Sequence, residues 1–176
     1  MTQPRISLVI VVGGECSGKT TLCDALGQAL PALVIPETLR IWCNRHGRTP
    51  EQAEQRSILA MQLNAERAGR NQAKAERKSW LICDGAPLLT AAYSSEYFGD
   101  ESLLATGLRH AQRADYILLA DPAVAWQADG ALRDGPGRRN AVHARLGQWL
   151  SGAALPFQRV AGNPAQRLRA CLALLR

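Results

Sequence analysis

An eight-residue motif near the start of the chain constrains its fold more than any other feature. Residues 13–20 read Gly-Gly-Glu-Cys-Ser-Gly-Lys-Thr and match the pattern G-x-x-x-x-G-K-[ST]. An apolar, β-branched run over residues 6–12 comes before it, and a helical pattern over residues 18–30 follows it. Such a run is typical of a central parallel strand. In this strand–loop–helix context, glycines let the backbone turn tightly and direct its N–H groups towards phosphates.

The motif predicts a binding site for ATP, or a close relative, together with a magnesium ion. We expect Lys19 to reach the β- and γ-phosphates and the hydroxyl of Thr20 to bind magnesium. The positive dipole end of the helix that follows adds to the attraction. The residues predicted to contact the nucleotide are Gly13, Gly14, Glu15, Cys16, Ser17, Gly18, Lys19, Thr20 and Thr21.

The rest of the chain alternates short apolar runs with helical patterns. Further strands are predicted over residues 32–35, 79–84, 115–120 and 156–160, and helices over residues 38–46, 49–78, 103–113, 140–150 and 164–175. Thr49, followed by a proline, is the predicted N-cap of the long helix. This alternation predicts an α/β fold with a parallel sheet, helices on both faces and right-handed crossovers. The length of 176 residues fits a single domain over residues 1–176.

Two acidic residues follow predicted strands at the sheet edge where the phosphate loop is expected. Asp84 ends its strand, where P-loop enzymes place an acid that holds magnesium directly or through water. Glu37 follows the strand over residues 32–35, where a carboxylate beside the γ-phosphate can accept the proton of an attacking hydroxyl. The alternative for each is a helix cap or, for Asp84, a surface acid. We predict Lys19, Glu37 and Asp84 as catalytic, and Thr20 and Asp84 as metal ligands.

Arginines cluster in a segment over residues 129–139 that is also rich in glycine, proline and aspartate. This composition predicts a mobile loop. Cations that close over transferring phosphates stabilise their charge and exclude water. The segment, with Arg133, Arg138 and Arg139, is therefore interpreted as a lid, with Arg133 and Arg138 as catalytic candidates. A solvated charged loop is the alternative.

A weaker pattern follows the last predicted strand. Residues 162–164 read Gly-Asn-Pro and precede Arg167. We interpret this stretch as a lining of the adenine pocket. An ordinary helix cap is the alternative interpretation.

Composition and charge exclude several classes of protein. With 47% hydrophobic residues the chain is not intrinsically disordered. It has neither an apolar run of the roughly 18–20 residues that a membrane span needs nor a signal-peptide pattern, so a cytoplasmic location is expected. The net charge of +6 comes mostly from arginine, but no aromatic–basic interleaving accompanies it, so we do not expect nucleic-acid binding.

Cysteine usage points away from disulfides and structural zinc. The chain has 5 cysteines, an odd number, and no C-x-x-C pair. We expect reduced and mostly buried thiols. Cys16 is the exception, because its place in the phosphate loop predicts an exposed and reactive thiol.

Four stretches of the chain carry a family resemblance in order. They are GGECSGKTTL (13–22), PETLR (36–40), LICDGAPLLTAAYSSEYFG (81–99) and LLADPAVAWQADGALRDGPGRR (118–139). On these stretches the chain resembles the nicotinamide riboside kinase domain of NadR-type proteins, among the P-loop nucleoside and small-molecule kinases. The resemblance implies a three-layer P-loop sandwich with a five-stranded parallel sheet in the order 2-3-1-4-5. It also implies transfer of the γ-phosphate of ATP to a hydroxyl.

Carried over by position, the resemblance implies roles that agree with those read from the residues. It places Glu37 near the substrate, Asp84 at the metal or substrate, and Arg133 in a lid region of the form D-G-x-R that begins at Asp129. Two departures lie on the substrate side. Gly85 follows Asp84 where the family commonly has threonine, and the lid region has one extra residue before Arg133.

These features favour a free-standing, ATP- and magnesium-dependent kinase that acts on a nucleoside-like small molecule. The alternative is an ATPase or regulatory nucleotide-binding protein of the AAA-like P-loop class. A GTPase is disfavoured because no N-K-x-D motif follows the fourth predicted strand. The sequence leaves the oligomeric state open, a homo-oligomer included.

Overall fold

Within residues 5–122 and 136–175, which the computed structural model describes, five strands form one parallel sheet. The strands are β1 (Ser7–Val12), β2 (Ala32–Ile35), β3 (Trp80–Asp84), β4 (Tyr116–Ala120) and β5 (Gln158–Val160). They pair in the order β2-β3-β1-β4-β5. The predicted strand order is therefore confirmed, and β1, which leads into the phosphate loop, is the central strand.

Helices connect the strands and cover the sheet. In the described part of the chain they are α1 (Lys19–Ala29), α2 (Thr38–His46), α3 (Gln52–Ala75), α4 (Pro87–Phe98), α5 (Leu104–Ala111), α6 (Pro136–Gly152) and α7 (Pro164–Leu174). Of these helices, α4 was not predicted from the sequence. Among these described helices, no segment combines the length and the apolar character that crossing a membrane would require.

Alternate side chains of β1 enter two separate cores, one on each face of the sheet. Leu8, Ile10 and Val12 belong to a core formed with α3, α4, α5 and α6. Val9 and Val11 belong to a second core formed with α1 and α7. The sequence of β1 is apolar at every position from Leu8 to Val12 rather than alternating, as burial on both faces requires. The result is a three-layer α/β/α arrangement.

The start of α3 corrects one prediction. The N-cap is Glu51 rather than Thr49, and it forms a capping box with Glu54. The carboxylate of Glu54 accepts from the Glu51 N–H at 2.8 Å and from both terminal nitrogens of Arg48, at 2.7 and 2.8 Å. These bonds to one carboxylate fix the N-cap two residues after Thr49.

The start of α6 corrects a second prediction. The segment over residues 129–139 was predicted as a mobile loop, but α6 begins at Pro136, so that Arg138 and Arg139 are helical. Proline fits the first turn of a helix, because its missing N–H would have no intrahelical partner there. Arg133 and Asp129 lie outside the described residues, so the prediction of a lid there stays a prediction.

Candidate active site

The phosphate loop joins the end of β1 to the start of α1 and is crowded at its first two glycines. A Cβ atom at Gly13 would lie 2.6 Å from the carbonyl oxygen of Ala120. A Cβ atom at Gly14 would lie 2.5 Å from the carbonyl oxygen of Arg139. Neither position has room for a side chain, because the backbone at the end of β4 and in the first turn of α6 lies against the loop.

The middle of the loop holds a non-glycine residue in left-handed backbone geometry. Cys16 has a φ of 52°, in a region that L-amino acids with a side chain rarely occupy. Backbone strain of this kind persists only where the surrounding structure determines it, and it is concentrated at functional sites. The loop conformation is thus imposed by its surroundings.

Lys19 lies between the phosphate loop and Glu37. Its Nζ donates to the carbonyl oxygen of Gly14 at 3.2 Å and lies 4.0 Å from Oε2 of Glu37. Both side chains are buried, and Oε2 of Glu37 accepts no hydrogen bond in the described residues. Arg40, one turn along α2, places Nη2 3.9 Å from the same oxygen. Glu37 is therefore a buried carboxylate that lies near two cations, and one of its oxygens receives no hydrogen bond from the described residues.

Thr20 and Asp84 meet at the adjacent strand end. The hydroxyl of Thr20 donates to Oδ2 of Asp84 at 2.5 Å. The other carboxylate oxygen, Oδ1, is buried and has no hydrogen-bond partner among the described residues, and the same holds for the hydroxyl oxygen of Ser17. Buried polar atoms are normally partnered, so these unused acceptors have the chemistry of ligands for a cation and its waters.

Burial governs the charge state of Asp84. Burial raises the pKa of this carboxyl above its ordinary value, and the nearby carboxylate of Glu37 raises it further. The hydrogen bond from Thr20 and the charge of Lys19 act in the opposite direction. The ionised form of Asp84 is therefore less favourable here than in water, and a bound cation would stabilise it.

A cavity of about 600 Å³ opens beside Lys19 and Glu37. Its charged lining residues are Glu15, Lys19, Glu37, Arg40 and Glu51. Cys16 from the phosphate loop and Cys43 from α2 also line it, and one wall is aromatic. A volume of this size is typical of small-molecule sites.

The aromatic wall comes from α4 and is the part of the site that the sequence analysis missed. Tyr93, Tyr97 and Phe98 line the cavity. Burial raises the pKa of Tyr93 well above its ordinary value, so this phenol is a neutral group. The guanidinium of Arg138 lies 4.7 Å from the centre of the Tyr97 ring and donates to the carbonyl oxygen of Glu96 at 3.4 Å. Arg138 therefore contacts the wall of the cavity from outside.

The structure brings together the predicted residues near the sheet edge and separates others from them. Lys19, Glu37, Thr20 and Asp84 form one group. The side chain of Thr21 is exposed, and Arg138 contacts Tyr97 in the wall of the cavity rather than this group. Arg133 lies outside the described residues.

Similar solved structures have the fold of P-loop kinases. NadR protein in complex with NR matches at 19% identity and a TM-score of 0.76, over 96% of this chain and 50% of that one. NadR in complex with NAD and AMP-PNP matches at 16% identity and a TM-score of 0.71, over 96% of this chain and 48% of that one. Thymidylate kinase from Ehrlichia chaffeensis matches at 15% identity and a TM-score of 0.70, over 98% of this chain and 100% of that one. The chain thus spans about half the length of the NadR chains.

Sequence comparison assigns the family. No curated protein matches the chain in sequence. The model of a family described as an AAA domain matches residues 8–167, which include the phosphate loop, the ends of β2 and β3, and Arg167. Together with the NadR structures, this match confirms the predicted resemblance. The chain belongs to this AAA domain family of P-loop proteins.

Proposed function

We propose that the protein transfers the γ-phosphate of ATP to a hydroxyl of a nucleoside-like small molecule. The observation that carries the proposal is the 600 Å³ cavity, which has Lys19 and Glu37 on one side and aromatic rings on the other. A phosphoryl donor held by the phosphate loop and an acceptor held in this cavity would meet at Glu37. A protein that only hydrolyses ATP has no need of a substrate-sized cavity beside Lys19 and Glu37.

The residues at the loop suit ATP and magnesium. The glycine positions with no room for a Cβ atom keep the loop backbone free of side chains, and Lys19 supplies a buried cation. Thr20 and Asp84 would hold the metal, since Oδ1 of Asp84 is a buried acceptor that has no partner in the described part of the chain. When bound, magnesium neutralises phosphate charge. A solved NadR structure with AMP-PNP supports an adenine nucleotide as the donor.

Glu37 suits the role of proton acceptor. It is buried, lines the cavity, and has one carboxylate oxygen that accepts no hydrogen bond from the residues that the structure describes. In the proposed reaction the acceptor hydroxyl oxygen forms a bond to the γ-phosphorus and its proton passes to Glu37. The bond from that phosphorus to the bridging oxygen breaks, and ADP leaves. Lys19 stabilises negative charge on the transferring group.

The cavity lining favours a nucleoside over a nucleoside monophosphate. Three carboxylates, from Glu15, Glu37 and Glu51, line it, against Lys19 and Arg40. Lys19 is committed to the phosphate donor, so an acceptor that already carries a phosphate would meet a net negative surface. The rings of Tyr93, Tyr97 and Phe98 suit a flat base. A NadR structure that contains NR supports the same class of acceptor.

A coupled ADP-release assay over paired acceptors tests this proposal. Each nucleoside is compared with its own monophosphate and with an analogue that lacks the candidate hydroxyl. We expect at least one nucleoside to raise ADP release well above the rate without acceptor, and its monophosphate and deoxy analogue to fail. ADP release that no acceptor raises would contradict the kinase proposal and favour the ATPase alternative.

A further inference from the structure

One buried arginine joins three loops at the edge of the sheet that carries the phosphate loop. Arg167, in the first turn of α7, donates from Nη1 to the carbonyl oxygen of Ser17 at 2.5 Å. Its Nη2 donates to the carbonyl oxygen of Asp121 at 2.7 Å, and its Nε to that of Gly162 at 2.8 Å. Asp121 follows β4 and Gly162 follows β5. The three loops are thus held to one rigid planar group.

The sequence around Arg167 suggested a residue of an adenine pocket, but the surroundings of this side chain point to a different role. The residue is 4% exposed, and each of its three side-chain nitrogens is bonded to a carbonyl within the chain. Across the described ranges, no carboxylate pairs with it. A buried cation without a counter-ion is costly unless hydrogen bonds compensate for it. The geometry that compensates for it here requires the planar fork of arginine.

The bond to Ser17 determines how the phosphate loop presents its backbone. The peptide that joins Ser17 to Gly18 is trans, as are all the described peptides, so its C=O and N–H point in opposite directions. Because the carbonyl of Ser17 points to Arg167, the N–H of Gly18 is turned to the other side of the loop. This N–H directly precedes α1, where backbone donors bind phosphate.

We propose that Arg167 is a positioning residue that sets the Ser17–Gly18 peptide, and with it the phosphate-facing donors of the loop, before a nucleotide binds. The inference rests on nucleotide binding by the loop, which the proposed function also requires. Because its three side-chain nitrogens are bonded to backbone carbonyls, Arg167 acts through the loop rather than by binding the phosphates itself. Preorganisation of this kind raises affinity, because the ordering cost is met during folding rather than during binding.

Calorimetric titration with AMP-PNP and magnesium, at a temperature where every variant is fully folded, tests the inference. We expect Arg167→Gln to weaken AMP-PNP binding roughly tenfold, and Arg167→Lys, which keeps the charge but not the fork, to weaken it less. Arg169→Gln is the matched control, because Arg169 is exposed on the same helix. Hydrogen exchange of the peptide over residues 13–18 should accelerate in both Arg167 variants and stay unchanged in the control.

A merely structural role would lower the melting temperature and leave the affinity of the folded protein unchanged. Wild-type AMP-PNP affinity in Arg167→Lys and Arg167→Gln, with only their melting temperatures lowered, would therefore overturn the inference. If Arg167→Gln does not fold, Arg167→Lys decides the matter alone. No acceptor is present in this titration, so failure to find a phosphorylated nucleoside would leave its result intact. Normal binding by both variants of an active kinase would overturn this inference alone.

Discussion

The hydroxyl of Thr20 donates a 2.5 Å hydrogen bond to Oδ2 of Asp84, which joins the first turn of α1 to the end of β3. The bond uses one oxygen of a buried carboxylate and leaves Oδ1 without a partner among the described residues. Burial and the charge of Glu37 both raise the pKa of Asp84. The surroundings of Asp84 thus disfavour its ionised form, as is common at functional sites.

Asp84→Asn should make the metal-free protein more stable at neutral pH while weakening its response to magnesium. A carboxyl whose pKa is raised in the folded state lowers the stability of the fold at any pH above its ordinary pKa, and asparagine removes this ionisable group. Thermal melts in EDTA should show a higher melting temperature for the variant. Magnesium should strengthen AMP-PNP binding less in the variant than in the wild type.

The pH dependence of this stability difference has a definite sign. Below the ordinary aspartate pKa of 3.8, both side chains are neutral and the difference should vanish. It should grow as the pH rises from 3.8 towards the raised pKa of Asp84 in the folded protein, because only the unfolded chain releases the proton in that range, and it should level off above that pKa. Asp24→Asn, at an exposed position of α1, is the control and should show no such trend. A variant that is less stable than the wild type at neutral pH would contradict this account of Asp84.

Glu37→Gln should lower kcat far more than it lowers ATP affinity. The change keeps the size of the side chain but removes the proton acceptor, and loss of a general base costs about a hundredfold or more. AMP-PNP affinity should stay within about twofold of the wild type, since the phosphate loop is untouched. Single-turnover kinetics and calorimetry measure the two quantities. Equal losses in both would mean that Glu37 has a structural role.

Lys19→Ala should reduce ATP turnover by at least about a hundredfold and leave the fold intact. Lys19 contributes the buried cation of the site, while its hydrogen bond within the chain goes to a loop carbonyl rather than to the core. Circular dichroism should be unchanged, and the coupled assay should report the loss. Lys74→Ala, at an exposed position of α3, is the control. Normal turnover in Lys19→Ala would contradict nucleotide binding by this loop.

Arg138→Gln should raise KM for the acceptor about threefold and leave KM for ATP unchanged. The guanidinium stacks on Tyr97, whose ring lines the cavity, and an exposed cation–π contact of this kind has a modest energy. Steady-state kinetics with each substrate varied in turn separates the two constants. Arg113→Gln, at an exposed position after α5, should change neither. A selective rise in KM for ATP would instead favour the predicted role of Arg138 over the phosphates.

Alkylation should divide the five thiols into two groups. Cys16 and Cys43 line the cavity and are partly exposed, so iodoacetamide should modify both. Cys23 and Cys83 are buried, and burial raises the pKa of each thiol well above its ordinary value. Burial also raises the pKa of Cys171 to about 11. Peptide mapping should find these three unmodified, and AMP-PNP should slow the modification of Cys16. Unchanged labelling of Cys16 with AMP-PNP would place the nucleotide elsewhere.

The central strand and its acidic neighbours were predictable because their signals are local. A β-branched run before the phosphate loop predicts β1, and parallel strands bring Glu37 and Asp84 to the same edge wherever they occur in the sequence. The strand order 2-3-1-4-5 came from the family resemblance instead, since periodicity alone does not determine which strands are neighbours.

The aromatic wall was not predictable, because α4 lacks an amphipathic pattern. Every residue over 87–95 is buried, so the helix has no polar face that would reveal a 3.6-residue period. The only local sign of its start is Pro87, which the structure places in the first turn. Arg138 was placed in a loop rather than in α6 because the glycine and proline before it suggested a loop. Its contact with Tyr97 was not predictable, because it depends on how α6 packs against α4.

Transfer of labelled phosphate tests the central claim most directly. ATP that is labelled in its γ-phosphate is incubated with the protein, magnesium and a panel of nucleosides, and the products are separated and identified by mass spectrometry. The account predicts label in the monophosphate of at least one nucleoside, and a loss of that product in Glu37→Gln. Label that appears only as inorganic phosphate with every nucleoside would contradict it.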